Sequence, residues 1–88
     1  MKVLVIGGGA REHALCRSLL ADPDVDRVIC APGNAGIAEI AQTHPLDVVD
    51  PDAVGELATR LGVDFVVIGP EGPLVAGAAD RVRARGID

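Results

Sequence analysis

Arg11, Glu12 and His13 stand side by side behind three consecutive glycines, in the stretch "VLVIGGGAREHAL". A guanidinium, a carboxylate and an imidazole in one short segment offer a forked donor, an acceptor and a proton-transfer group. If the glycines open a helix, Gly9 leaves the first backbone N–H groups unobstructed for a phosphate or carboxylate, and Arg11 adds a cation. Glu12 acts in the opposite sense, because a carboxylate beside an anion site repels the ligand unless that ligand also carries an amine or hydroxyls. The combination favours a small zwitterionic or sugar-phosphate ligand over a plain polyphosphate. Structural uses of the same residues compete: Glu12 complements a helix dipole, worth about 0.3–1 kcal/mol, Arg11 is solvated, and His13 hydrogen-bonds a neighbouring loop.

Two further glycine-bearing stretches carry candidates. In "APGNAG", Pro32 stiffens the chain, Gly33 and Gly36 permit close approach by a ligand, and Asn34 can donate and accept. Its structural alternative is a tight turn that needs Asn and Gly at positive φ. In "GPEGPL", Pro70 and Pro73 stiffen a loop presenting Glu71, a second carboxylate for an amine or a ribose hydroxyl; the alternative is a helix-entry turn with Glu71 at the positive dipole end. His44, Asp47, Asp50 and Asp52 read as loop solvation and helix capping. A dinucleotide fingerprint is only two-thirds present, since Gly7 and Gly9 are followed by Glu12 in place of the third glycine. The acid that would hold a ribose at the end of the second strand is also missing, the residues there being Ile29, Cys30 and Ala31.

These loops need elements to position them. The β-branched run over 2–6 reads as a strand buried on both faces, and the apolar spacing over 12–20 as a helix ended by "ADPD". A second strand is expected over 28–31, a short helix at most over 37–41, and a third strand over 46–49. Asp50 or Asp52 caps a helix lined by Val54, Leu57, Ala58 and Leu61 and stopped by Gly62. A fourth strand over 64–68 and a last helix over 74–85, closed by Gly86, complete the alternation. Strands alternating with helices call for a doubly wound parallel sheet with right-handed crossovers, in the order 3-2-1-4. In such a sheet ligands collect at the carboxyl ends of the strands near the switch point, where all three loops fall.

Composition narrows the partners. A net charge of −5 offers no basic stripe for a phosphodiester backbone, and 1% aromatic content removes stacking platforms, so nucleic acid is not expected. No apolar run approaches the roughly 20 residues of a spanning helix, and the N-terminus does not resemble a signal peptide, so no membrane partner is expected and a cytoplasmic location is. Cys16 and Cys30 form no CxxC pair, no residues cluster as metal ligands, and both thiols read as small buried hydrophobes. The closing "GID" looks like the start of another strand, so the chain is expected to be a fragment of a longer protein.

In this order and at these separations, "VLVIGGGAREHAL", "APGNAGI" and "VVIGPEGPLVAGAAD" resemble the N-terminal domain of the phosphoribosylamine-glycine ligase (glycinamide ribonucleotide synthetase) family. The resemblance covers nearly the whole chain. It implies that residues 1–88 form a Rossmann-like, pre-ATP-grasp, three-layer α/β domain packed against a larger ATP-grasp region. The activity it implies is purine-biosynthetic: ATP with Mg²⁺ phosphorylates the carboxylate of glycine, and the amine of 5-phosphoribosylamine attacks the acyl phosphate to give glycinamide ribonucleotide, ADP and phosphate. ATP and Mg²⁺ are then expected in regions beyond this chain, with no cofactor, metal ligand or catalytic residue in the fragment itself. By motif, Gly9, Arg11, Glu12, His13, Pro32, Gly33, Asn34, Glu71 and Pro73 are the implied phosphoribosylamine-binding positions.

Ala10 stands where many relatives have a further glycine, and Gly72 replaces a commoner alanine. Two other expectations stand beside the ligase reading: a free-standing Rossmann-type nucleotide-binding or regulatory module, and a fragment that self-associates through apolar surface.

Overall fold

The computed structural model describes residues 1–46 and 50–68. Four parallel strands, β1 (Lys2–Gly7), β2 (Arg27–Pro32), β3 (Gln42–Thr43) and β4 (Phe65–Ile68), form one sheet in the order β3-β2-β1-β4. Helices α1 (Ala10–Leu20), α2 (Ala35–Ala38) and α3 (Pro51–Leu61) connect them. This is the expected doubly wound order, with the switch point between β1 and β4.

The period-2 alternation of strand side chains divides the core into two layers. Leu4, Ile6, Ile29, Ala31 and Val66 face Val54, Leu57 and Ala58 of α3. Val3, Val5, Val28 and Cys30 face Cys16 of α1 and Ile37 of α2. β1 feeds both layers, so its run of apolar residues is continuous rather than alternating with polar ones.

Helix ends follow local chemistry. Asp50 caps α3, its Oδ1 accepting from the amides of Asp52 (3.0 Å) and Ala53 (3.4 Å), and Gly62 ends it in the left-handed conformation at φ 65°. After α1, Asp22 accepts from the Asp24 amide at 2.9 Å, which turns the chain toward β2.

Three expectations move. α1 begins at Ala10, about a half-turn before the expected start at 12, because Ala10 and Arg11 face solvent and leave no hydrophobic signature. Among the described residues the third strand is Gln42–Thr43, paired to Ile29 and Cys30, ahead of the more apolar run over 46–49 where it is expected. Being an edge strand of two residues, it buries little and carries no pattern that periodicity detects; Leu46 packs against the α3 layer, and residues 47–49 lie outside the described residues. The short helix also starts earlier than expected, at Ala35, because Asn34 caps it. The last helix, expected over 74–85, lies outside the described residues.

Candidate functional site

At the carboxyl edge of the sheet, Gly7 ends β1 in register with Pro32 at the end of β2, and Ile6 pairs with Ile68 at the end of β4. The loop after β1 and the loop after β2 are therefore neighbours. They are joined by hydrogen bonds: the amide of Gly33 donates to the carbonyl of Gly7 at 3.0 Å, and Asn34 Nδ2 donates to the carbonyl of Gly8 at 2.8 Å. The thiol of Cys30 also donates to the Gly7 carbonyl, at 3.3 Å.

Two glycines make this contact feasible. A Cβ on Gly8 would lie 2.8 Å from the carbonyl oxygen of Gly33, so any side chain there would force the loops apart. Gly33 has φ 74°, and a Cβ on it would lie 2.6 Å from Thr43 Cγ2. Asn34 has φ −152°, which is extended backbone, so of the two turn residues only Gly33 uses the left-handed region.

Asn34 serves both loops at once. While Nδ2 holds Gly8, Oδ1 accepts from the Ile37 amide at 2.9 Å and caps α2. Glu12 is 3% exposed, and its Oε2 accepts from the Gly9 amide at 3.1 Å. His13 is half-buried, with Cε1 3.1 Å from where a Cβ on Gly36 would be, so its ring packs against the second loop. Arg11 is exposed and has no hydrogen bond or ion pair among the described residues. Pro32 is exposed and follows a cis Ala31–Pro32 bond. Glu71 and Pro73 lie outside the described residues.

The first turn of α1 points its N–H groups toward this rim, since a helix leaves its first amides without i−4 acceptors. Together with Arg11 they can take an anion. Among the described residues no group of three or more His, Cys, Asp or Glu is assembled that could hold a metal ion. The two free cysteines are buried beneath the first loop. Burial, with Cys16 and the Glu12 carboxylate nearby, pushes the Cys30 thiol up to about 12; burial likewise raises Cys16. Burial thus disfavours the thiolate form of both. Among the described residues the rim thus offers backbone donors and one guanidinium.

Sequence reasoning did not single out Gly8, Cys30 or Thr43 as rim residues. Gly8 had a signal, since three glycines in a row exceed what a strand-to-helix turn needs. His44 approaches the same edge, its amide donating to the Cys30 carbonyl at 3.1 Å and its Nε2 lying 2.9 Å from Gln42 Nε2.

The whole of residues 1–88 matches the family model described as phosphoribosylglycinamide synthetase, N domain. A phosphoribosylamine–glycine ligase of Streptomyces coelicolor is 69% identical over 87 residues, and one of Mycobacterium bovis 60%; each alignment covers 99% of this chain and 21% of the relative. The chain thus spans about a fifth of the length of these curated relatives. Among solved structures, a saccharopine dehydrogenase of Saccharomyces cerevisiae superposes with a TM-score of 0.66 at 22% identity, covering 93% of this chain and 20% of that one. That likeness shows the fold alone, which is Rossmann-like. The chain belongs to the phosphoribosylglycinamide synthetase N-domain family.

Proposed function

We propose that this family member is the phosphoribosylamine-docking domain of a ligase joining glycine to 5-phosphoribosylamine in purine biosynthesis, with ATP converted to ADP and phosphate. The observation that carries the reading is the stitched pair of loops at the carboxyl rim, with the amides of α1 beside them and Arg11, whose side chain has no partner among the described residues. A sugar phosphate suits that rim: the phosphate meets N–H donors and a guanidinium, and the ribose lies along the exposed glycine backbone. The described substrate contacts are drawn from Gly9, Arg11, His13, Pro32, Gly33 and Asn34, with Glu12 folded behind them onto the Gly9 amide; Glu71 and Pro73 complete the site by motif. His13 packs its ring against Gly36 and so spaces the two loops.

ATP and Mg²⁺ are assigned to the ATP-grasp domains of the same polypeptide, where ATP activates the glycine carboxylate for attack by the amine. This chain alone is accordingly inactive. A cytoplasmic location accompanies a reaction on small phosphorylated metabolites.

In the full-length ligase, Arg11→Ala is expected to raise the KM for phosphoribosylamine while leaving that for ATP within about twofold. Losing a hydrogen bond to a charged group costs about 1.5–3 kcal/mol, on the order of ten- to a hundredfold in KM. Equal effects on both substrates would refute the docking role.

A further inference from the structure

Glu12 is the only charged side chain buried among the described residues, and burial of a carboxylate is costly unless hydrogen bonds replace its water. Its position explains where the compensation comes from. Glu12 is the third residue of α1 and Gly9 is the N-cap, so the carboxylate reaches back to the N-cap amide as the glutamate of a capping box does. The N-cap here is glycine, with no side chain to return the bond. The glutamate therefore holds the turn from one side only.

The carboxylate lies across the whole turn. A Cβ on Gly7 would collide with Oε1 and lie 2.6 Å from Cδ, and one on Gly9 would lie 3.0 Å from Oε2. The peptide bond between Gly8 and Gly9 is trans and planar, so its carbonyl and N–H point in opposite directions. The carbonyl is held by Asn34 Nδ2 at 2.8 Å and the N–H by Glu12 Oε2 at 3.1 Å. One peptide unit is thus clamped at both ends by side chains from two loops. The preceding carbonyl, that of Gly7, points at Gly33, which turns the Gly8 N–H away from the second loop. Among the described residues the backbone donors left at this turn are those of Gly8, Ala10, Arg11 and Glu12, since the first helical bond runs from His13 to Gly9 and the Gly9 amide is already engaged.

We infer that Glu12 is a positioning residue, which selects the amides of the glycine turn that face the phosphate of the substrate and does not itself pair with the amine. This rests on the reading of the rim as the phosphoribosylamine site. A carboxylate that contacted the amine would depend on its charge. One that holds the Gly9 amide depends on an acceptor oxygen, which glutamine also supplies.

The test compares Glu12→Gln, Glu12→Ala and Arg11→Ala in the full-length ligase, by KM for phosphoribosylamine, KM for ATP and hydrogen exchange at the Gly9 amide. Glu12→Gln is expected to stay within about threefold of the parent in both KM values. Glu12→Ala is expected to raise the phosphoribosylamine KM about tenfold, as the loss of one buried partner does, with the ATP value within about twofold. A glutamine variant as impaired as the alanine variant overturns the inference, and so does an alanine variant with an unchanged KM. Should the alanine variant fail to fold, a tenfold rise in Glu12→Gln alone is the overturning result. A flat response to Arg11→Ala would instead remove the substrate reading. The hold on the turn is then read from Gly9 exchange: about tenfold faster in Glu12→Ala and unchanged in Glu12→Gln supports it, and equal rates in all proteins overturn it.

Discussion

The two ends of the sheet use charge in opposite ways. At the amino end, the N-terminal ammonium bonds Asp26 and the Asp24 carbonyl, the Lys2 amide donates to Asp64 Oδ2 at 2.8 Å, and Lys2 Nζ donates to the Leu61 carbonyl at 3.1 Å. Asp22, Asp24, Asp26 and Asp64 gather there, all exposed. At the carboxyl end the described loops carry few ionic groups. Glu12 is folded inward onto backbone, Asn34 is divided between two loops, and Arg11 has no partner among the described residues. The end rich in charge satisfies itself in water, where exposed pairs contribute little. The end poor in charge keeps unspent donors, and that is where a ligand gains most.

The contrast can be broken hardest at Gly8. In the full-length ligase, Gly8→Val drives a side chain against the Gly33 carbonyl and separates the loops, and kcat/KM is expected to fall on the order of a hundredfold, as a displacement of about 1 Å can do. Steady-state kinetics check it, and activity within a few-fold of the parent would show that the loops need not touch.

Asn34 sharpens the comparison by separating two bonds. Asn34→Ala removes both the cap of α2 and the bond to Gly8, and should cost about 1 kcal/mol of stability together with several-fold in the phosphoribosylamine KM. Asn34→Asp keeps an acceptor for the Ile37 amide but loses the donor to Gly8, so it should recover the melting temperature and not the KM. Thermal melts and kinetics on the same preparations distinguish these outcomes.

Asp50→Ala serves as a control away from the rim. Loss of the α3 cap should lower stability by about 1 kcal/mol, seen in denaturant titration, with both KM values unchanged.

The smallest effects belong to the amino end. The hydrogen bond to Asp26 raises the N-terminal ammonium above its ordinary 8.0, and the same contact lowers Asp26 below its ordinary 3.8. A raised cation stabilises the fold below pH 8.0 and loses that contribution as pH climbs through its folded value. A lowered carboxylate stabilises above pH 3.8 and loses its contribution as pH falls through its folded value. Asp26→Asn should therefore lower the melting temperature slightly near neutral pH, with the difference fading in alkaline solution and at strongly acid pH. Melts across pH measure it, and a difference as large as that of Asp50→Ala would upset the contrast between the two ends.

The parts of this molecule legible in its residues are those set by near neighbours along the chain. The apolar run of β1, the spacing of Val54, Leu57 and Ala58, Asp50 before α3 and Gly62 after it each specify their element locally, and their alternation specifies the parallel order. β3, at Gln42–Thr43, was not legible, because an edge strand of two residues buries too little to leave a pattern. The loops after β1 and β2 were legible as glycine turns that meet at one edge, and the third lies outside the described residues. What Glu12 and Asn34 do was not legible, since each had several partners within reach of its chemistry.

By itself the sequence determined which faces are buried, where helices start and stop, and which edge of the sheet gathers the glycines, because backbone preference and side-chain periodicity act over a few residues. Only the tertiary structure decided that Glu12 turns inward, that Asn34 reaches back to Gly8, and that Cys30 and Gly33 share the Gly7 carbonyl. A hydrogen-bonding group takes whichever partner the fold brings within about 3 Å. For three of those four contacts that partner comes from more than twenty residues away along the chain, where no local pattern can name it.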